Sequence, residues 1–94
     1  MEDFVPYETV LKLEKKGYKG RTIRYHGHIY DVLKWLREEC GIFISIYYDC
    51  KFKIWLYGVL IMKNGEFKLK DEKTYKTYEL AALAGIKYVI DKLI

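Results

Sequence analysis

Two histidines, two cysteines and a few adjacent carboxylates are the side chains of this 94-residue chain best suited to chemistry. His26 and His28 alternate on a glycine-punctuated segment, so an extended backbone points both imidazoles the same way. Two imidazoles fall short of the three or four ligands a metal site takes, although Cys40 or Cys50 could complete a set. The plainer reading is a pair of loop histidines. Cys40 closes a helical apolar stripe, where a thiol is usually a small apolar group. Cys50 lies in a turn beside Lys51 and near Lys53, which lower a thiol pKa slightly, but no histidine base can be assigned to it. Glu38-Glu39 and Asp71-Glu72 are adjacent, so their side chains diverge on a helix or strand and read as surface pairs. No glycine-rich phosphate loop of a known spacing occurs. The residues therefore predict a non-enzyme with no metal and no cofactor.

The elements that position these side chains follow from local pattern. Residues 8–16 predict a short helix, with Pro6 at its start and Gly17 after its last turn. Residues 22–25 have the makings of a short strand inside a basic, glycine-rich loop. Ile29, Val32, Leu33, Leu36 and Cys40 form one helical stripe that ends at Gly41. Residues 77–94 form a closing helix with Thr77 as N-cap and Ala82, Leu83, Ile86, Ile90, Leu93 and Ile94 as its packing stripe. Between these helices, residues 42–70 read as three consecutive antiparallel strands. The fold expected is α+β: a three-stranded antiparallel meander with helices packed on one face, in the order α-(β)-α-β-β-β-α, forming one domain over residues 1–94.

Turn chemistry sets the expected register. Asn64-Gly65 is a two-residue hairpin signal that would pair Lys63 with Glu66, Met62 with Phe67 and Leu60 with Leu69. A three-residue loop at Asp49, Cys50 and Lys51 would pair Tyr48 with Phe52, Ile46 with Ile54 and Ile44 with Leu56. The core face would then carry Ile42, Ile44, Ile46, Phe52, Ile54, Leu56, Leu60, Met62, Phe67 and Leu69. The opposite face would carry Phe43, Ser45, Tyr47, Lys53, Trp55, Tyr57, Val59 and Ile61. A sheet that is apolar on both faces needs two covers, and the helices expected on one face supply one.

Three readings of that second face stay open. Phe43, Tyr47, Lys53, Trp55, Tyr57 and Ile61 would suit self-association or a protein partner, since aromatic rows mark homodimer interfaces. The aromatics beside Lys53 would also stack bases in a nucleic-acid binder, with Lys68, Lys70, Lys73 and Lys76 as phosphate contacts. Lys19, Arg21 and Arg24 are a second basic group of the same kind. Alternatively, the first helix covers this face and makes it ordinary core. The first strand, residues 42–48, carries no charge and in a meander is an edge, which invites pairing unless residues 22–25 cover it.

Composition bounds the rest. Aromatics are 17% of the chain and Tyr occurs 10 times, which suits half-buried surfaces with a dry ring and a wet hydroxyl. The net charge of +4 permits contact with anionic partners without arguing for them. The acidic N-terminus lacks a secretory pattern, and the longest charge-free run, residues 54–62, is far short of a bilayer span. The expectation is a cytoplasmic protein with reduced thiols and no membrane contact.

The segment Asp3-Phe4-Val5-Pro6-Tyr7-Glu8 with Leu11-Lys12-Leu13 and Lys16-Gly17-Tyr18, then Tyr30, Trp35-Leu36-Arg37-Glu38, Gly41-Ile42 and Thr77-Tyr78-Glu79-Leu80-Ala81, resembles small proteins carried by phages, prophages and mobile elements of gut bacteria. Many of those have a longer insertion where residues 19–28 are compact here. The resemblance implies a bacterial cytoplasmic setting and brings no activity or site residue. The order helix, three-strand meander, helix is also similar to the double-stranded RNA-binding domain, with Ala81-Ala82 in its alanine-rich last helix. The lysine cluster of that family is thinned here to Lys73 and Lys76, with Tyr78-Glu79 where basic residues would stand.

Overall fold

The computed structural model describes residues 4–19, 22–23 and 26–94. Arg21 and Arg24, with Gly20 and Tyr25 beside them, lie outside the described residues. Strand β1 (Phe4–Val5) leads into helix α1 (Tyr7–Lys15), β2 (Thr22–Ile23), β3 (His26–His28) and helix α2 (Ile29–Glu39). The meander β4 (Ile42–Asp49), β5 (Ile54–Ile61) and β6 (Glu66–Tyr75) follows. Helix α3 (Tyr78–Tyr88) closes the chain and continues into a π-helical turn, Val89–Leu93. The expected α+β class and element order hold.

Local chemistry explains the helix ends. The Pro6 carbonyl accepts from Val10 N–H at 3.0 Å, so the residue that lacks a donor sits where none is needed. Thr77 Oγ1 accepts from Leu80 N–H at 3.1 Å and caps α3. Residues 22–23 do not protect the meander: they pair with β3, which also pairs with β1, in a separate small sheet.

Both hairpin loops differ from expectation, and the difference decides the faces. Asp49 Oδ1 accepts from Lys51 N–H (2.9 Å) and Phe52 N–H (3.2 Å), and Lys53 takes a left-handed φ of 55°. That builds a four-residue loop that pairs Asp49 with Ile54, in place of the three-residue loop read from sequence. The pairing centre moves by an odd number of positions, and every β5 side chain changes face. Lys53 leaves the sheet for the loop. The second loop is also longer: Gly65, at φ 71°, donates to the Ile61 carbonyl, and Asn64 Oδ1 accepts from Glu66 N–H. Ile61 pairs with Glu66 and Leu60 with Phe67, a two-residue slide that keeps the β6 faces as expected relative to β5.

The face under the helices is therefore built from the rows Ile44–Val59, Ile46–Tyr57 and Tyr48–Trp55–Tyr75. Leu13, Val32, Leu36, Ile86 and Val89, all fully buried, join Ile44, Tyr57 and Val59 in one core. Helix α3 packs through the expected stripe, with Ala82, Ile86 and Ile90 buried and Leu83, Leu93 and Ile94 partly buried against the core, and Ala81 and Gly85 are buried beside it. A Cβ on Gly85 would lie 2.8 Å from Ile44 Cγ2 and 3.2 Å from the Tyr57 ring, so a side chain there would force Ile44 to shift and crowd the Tyr57 ring. Helix α1 buries Val10 and Leu13 in the same core, and Lys12 and Lys16 reach Asp91 and the Ile94 carbonyl at the chain's end.

Candidate interaction surfaces

The structure divides five of the six interface candidates between two faces and places the sixth, Lys53, in the loop before β5. Phe43 and Tyr47 stand on the outer face, about two-fifths exposed. Trp55, Tyr57 and Ile61 do not. Tyr57 is buried at 7% exposure, with the Tyr88 and Tyr75 rings 6.4 and 6.3 Å away. The Trp55 ring meets Tyr78 edge-on at 5.7 Å and Tyr48 at 4.8 Å. These corrections all follow from the longer Asp49 loop. Sequence pattern missed it because both alternating sets in β5, Trp55-Tyr57-Val59-Ile61 and Ile54-Leu56-Leu60, are apolar.

The outer face gains the residues expected in the core. Its rows are Phe43–Leu60–Phe67, Ser45–Gly58–Leu69 and Tyr47–Leu56. Phe67 and Leu69 are nearly half exposed. Gly58 is buried on this face because the Phe67 and Tyr47 rings converge over it: an added Cβ would meet Phe67 at 2.6 Å and Tyr47 at 3.2 Å. A glycine inside a central strand was the sequence signal for this close approach. Ser45 Oγ donates to the Tyr47 hydroxyl at 3.1 Å. Tyr47, Leu56, Phe67 and Leu69 border a shallow depression of about 690 Å3. These three rows contain no charged side chain, and the adjoining end of the depression carries one carboxylate and one cation, Asp49 and Lys51.

The lysines are not gathered beside these aromatics. Lys68 and Lys70 alternate on the helix side of β6, at the sheet edge opposite β4 and its Tyr47. Lys68 lies 3.4 Å from Glu66, and the Lys70 ammonium sits 4.2 Å above the Tyr88 ring. Lys70 and Lys73 border a cavity with Lys87, Lys92, Glu72 and Asp91 on the helix side, and Lys76 is exposed.

No protein-family model, curated protein or solved structure matches this chain. The side chains with reactive potential stay scattered. Burial, with Glu39 adding to it, pushes the Cys40 thiol up and keeps it protonated. Cys50 is exposed in its loop, and neither cysteine is in a disulfide. His28 stacks on Tyr30 with ring centroids 6.2 Å apart, and the His26 side chain lies outside the described residues. Among the described residues no three His, Cys, Asp or Glu side chains are grouped to hold a metal. No helix among them is long and apolar enough to cross a membrane.

Proposed function

We propose that this chain is a small non-catalytic interaction module that self-associates through the outer face of its sheet, in a cytoplasmic setting that its free thiols suit. One observation carries the reading. The helices lie on one side of the meander, and the other side is an apolar surface built by Phe43, Tyr47, Leu56, Leu60, Phe67 and Leu69. Contiguous apolar surface of this kind marks an interaction site. Its neutrality favours a second copy as the occupant. A two-fold contact sets a patch against itself, so on a chain of net charge +4 a charge-free patch is where two copies meet without like-charge repulsion.

Light-scattering mass over a concentration series tests this, with and without mixed nucleic acid. The expected mass approaches twice the 11.3 kDa of one chain and does not change when nucleic acid is added. Phe67→Asp or Leu69→Asp should give monomer with unchanged far-ultraviolet circular dichroism, because these side chains lie outside the core. A chain that is monomeric throughout, or a dimer indifferent to both substitutions, would overturn the proposal. Salt-sensitive retention of nucleic acid would favour the alternative reading as a nucleic-acid-binding domain.

A further inference from the structure

A second surface lies along the free edge of β4. Met62 N–H donates to the Gly41 carbonyl at 2.9 Å, which sets the hydrogen-bonding phase between β4 and β5. Phe43, Ser45, Tyr47 and Asp49 therefore direct their backbone groups to β5, and those of Ile42, Ile44, Ile46 and Tyr48 point away from the sheet. Among the described residues no strand pairs with that edge. Helix α2 runs alongside it. Tyr30, Leu33, Lys34 and Arg37, spaced i, i+3, i+4 and i+7, form one wall of a groove of about 490 Å3 whose other wall is residues 43–46. Tyr78 also borders the groove.

We infer that this groove receives an extended, acidic segment of another protein, added to the sheet as a fourth strand beside β4. The outward N–H and C=O groups of Ile44 and Ile46 supply the main-chain ladder. Every second side chain of the incoming strand turns toward α2. There it meets apolar Leu33 and Ile44 and the cations Lys34 and Arg37. The lining contains two cations and no carboxylate, which selects Asp or Glu among the incoming side chains. Glu38, 3.9 Å from Arg37, is an exposed and weak competitor. A second copy of β4 is disfavoured here by the same charges, since two-fold pairing would bring Lys34 and Arg37 of both copies together. The groove shares Phe43 and Ser45 with the outer face at its rim, but its cations lie on α2 and its free backbone groups on Ile44 and Ile46, so Phe67→Asp and Leu69→Asp test the dimer without altering the groove.

The test is selection of a phage-displayed library of random twelve-residue peptides on the full chain, followed by amide hydrogen exchange with the best synthetic peptide. Enriched peptides should alternate apolar residues with Asp or Glu. They should protect the N–H groups of Ile44 and Ile46, which pair with no strand among the described residues. The double substitution Lys34→Glu with Arg37→Glu, at exposed positions, should weaken binding at least tenfold. N-methylation of alternate peptide residues on the pairing edge should abolish binding, and needs no change to the protein. Three results would overturn the inference: no enrichment over the doubly substituted chain, enriched peptides that are neutral or basic, or new protection confined to other residues. A dimer lost on reversing Lys34 and Arg37 would assign the edge to self-pairing and also sink it.

Discussion

Burial beneath α3 pushes the Tyr57 hydroxyl up to about 12, with Tyr75, Glu72 and Tyr88 adding to the rise. An unfolded tyrosine titrates near 10. Between those values the folded chain keeps the proton and the unfolded chain has released it, so the unfolded state binds fewer protons and stability falls as pH rises. The contribution is fully present below pH 10 and is lost as pH climbs through about 12, with a slope of at most about 1.4 kcal/mol per pH unit. Tyr18, Tyr75 and Tyr78 are also raised, by burial first, so Tyr57→Phe should shallow the alkaline fall without removing it. Urea midpoints measured across that window check this; an unchanged slope would place Tyr57 outside the core. The same side chain shows where residue-level reading stops. Tyr57 has a dry ring and a polar tip that suit either face of a sheet, and nothing in its type says which.

Elements bounded by local chemistry were legible. Pro6 and Gly17 frame α1, Gly41 follows α2, and Thr77 precedes α3, because each acts on backbone groups within a turn of itself. Thr77→Ala should lower stability by about 1 kcal/mol through loss of the bond from Leu80 N–H, and Thr77→Ser should retain most of it. Chemical denaturation at neutral pH measures both, and equal stability of all three chains would show the cap to be idle. Strand existence was legible for the same local reason. Register was not, since it turned on whether the Asp49 carboxylate closed a loop of three residues or four. The α3 stripe was legible from its hydrophobic spacing, but the burial of Ala81 and Gly85 was not, because close approach to the sheet selects small residues that carry no hydrophobic signal.

The whole molecule is 18 Å in its thinnest dimension, room for one sheet and one helical layer. Helix α1 joins the core through Val10 and Leu13, so it does not serve as a third layer over the outer face. That leaves two surfaces of opposite character on one small body, a neutral sheet face and a cationic groove at its edge. Their salt responses should differ accordingly. The dimer constant from sedimentation should change by no more than about twofold between low salt and about 1 M salt, because no charge is screened at the outer rows. A dimer that dissociates steeply with salt would move the contact to the charged surfaces.

Sequence alone determined the class, the order of elements, the double-sided apolar character of the meander and the uncharged edge of β4. Each is a property of residue types and their period along the chain. Tertiary structure decided which apolar set in β5 met the helices. One carboxylate and one left-handed lysine set that parity, and the glycine in α3 made room for the result. Hydrophobic burial could not choose in advance, because the two alternating sets offered it nearly the same gain.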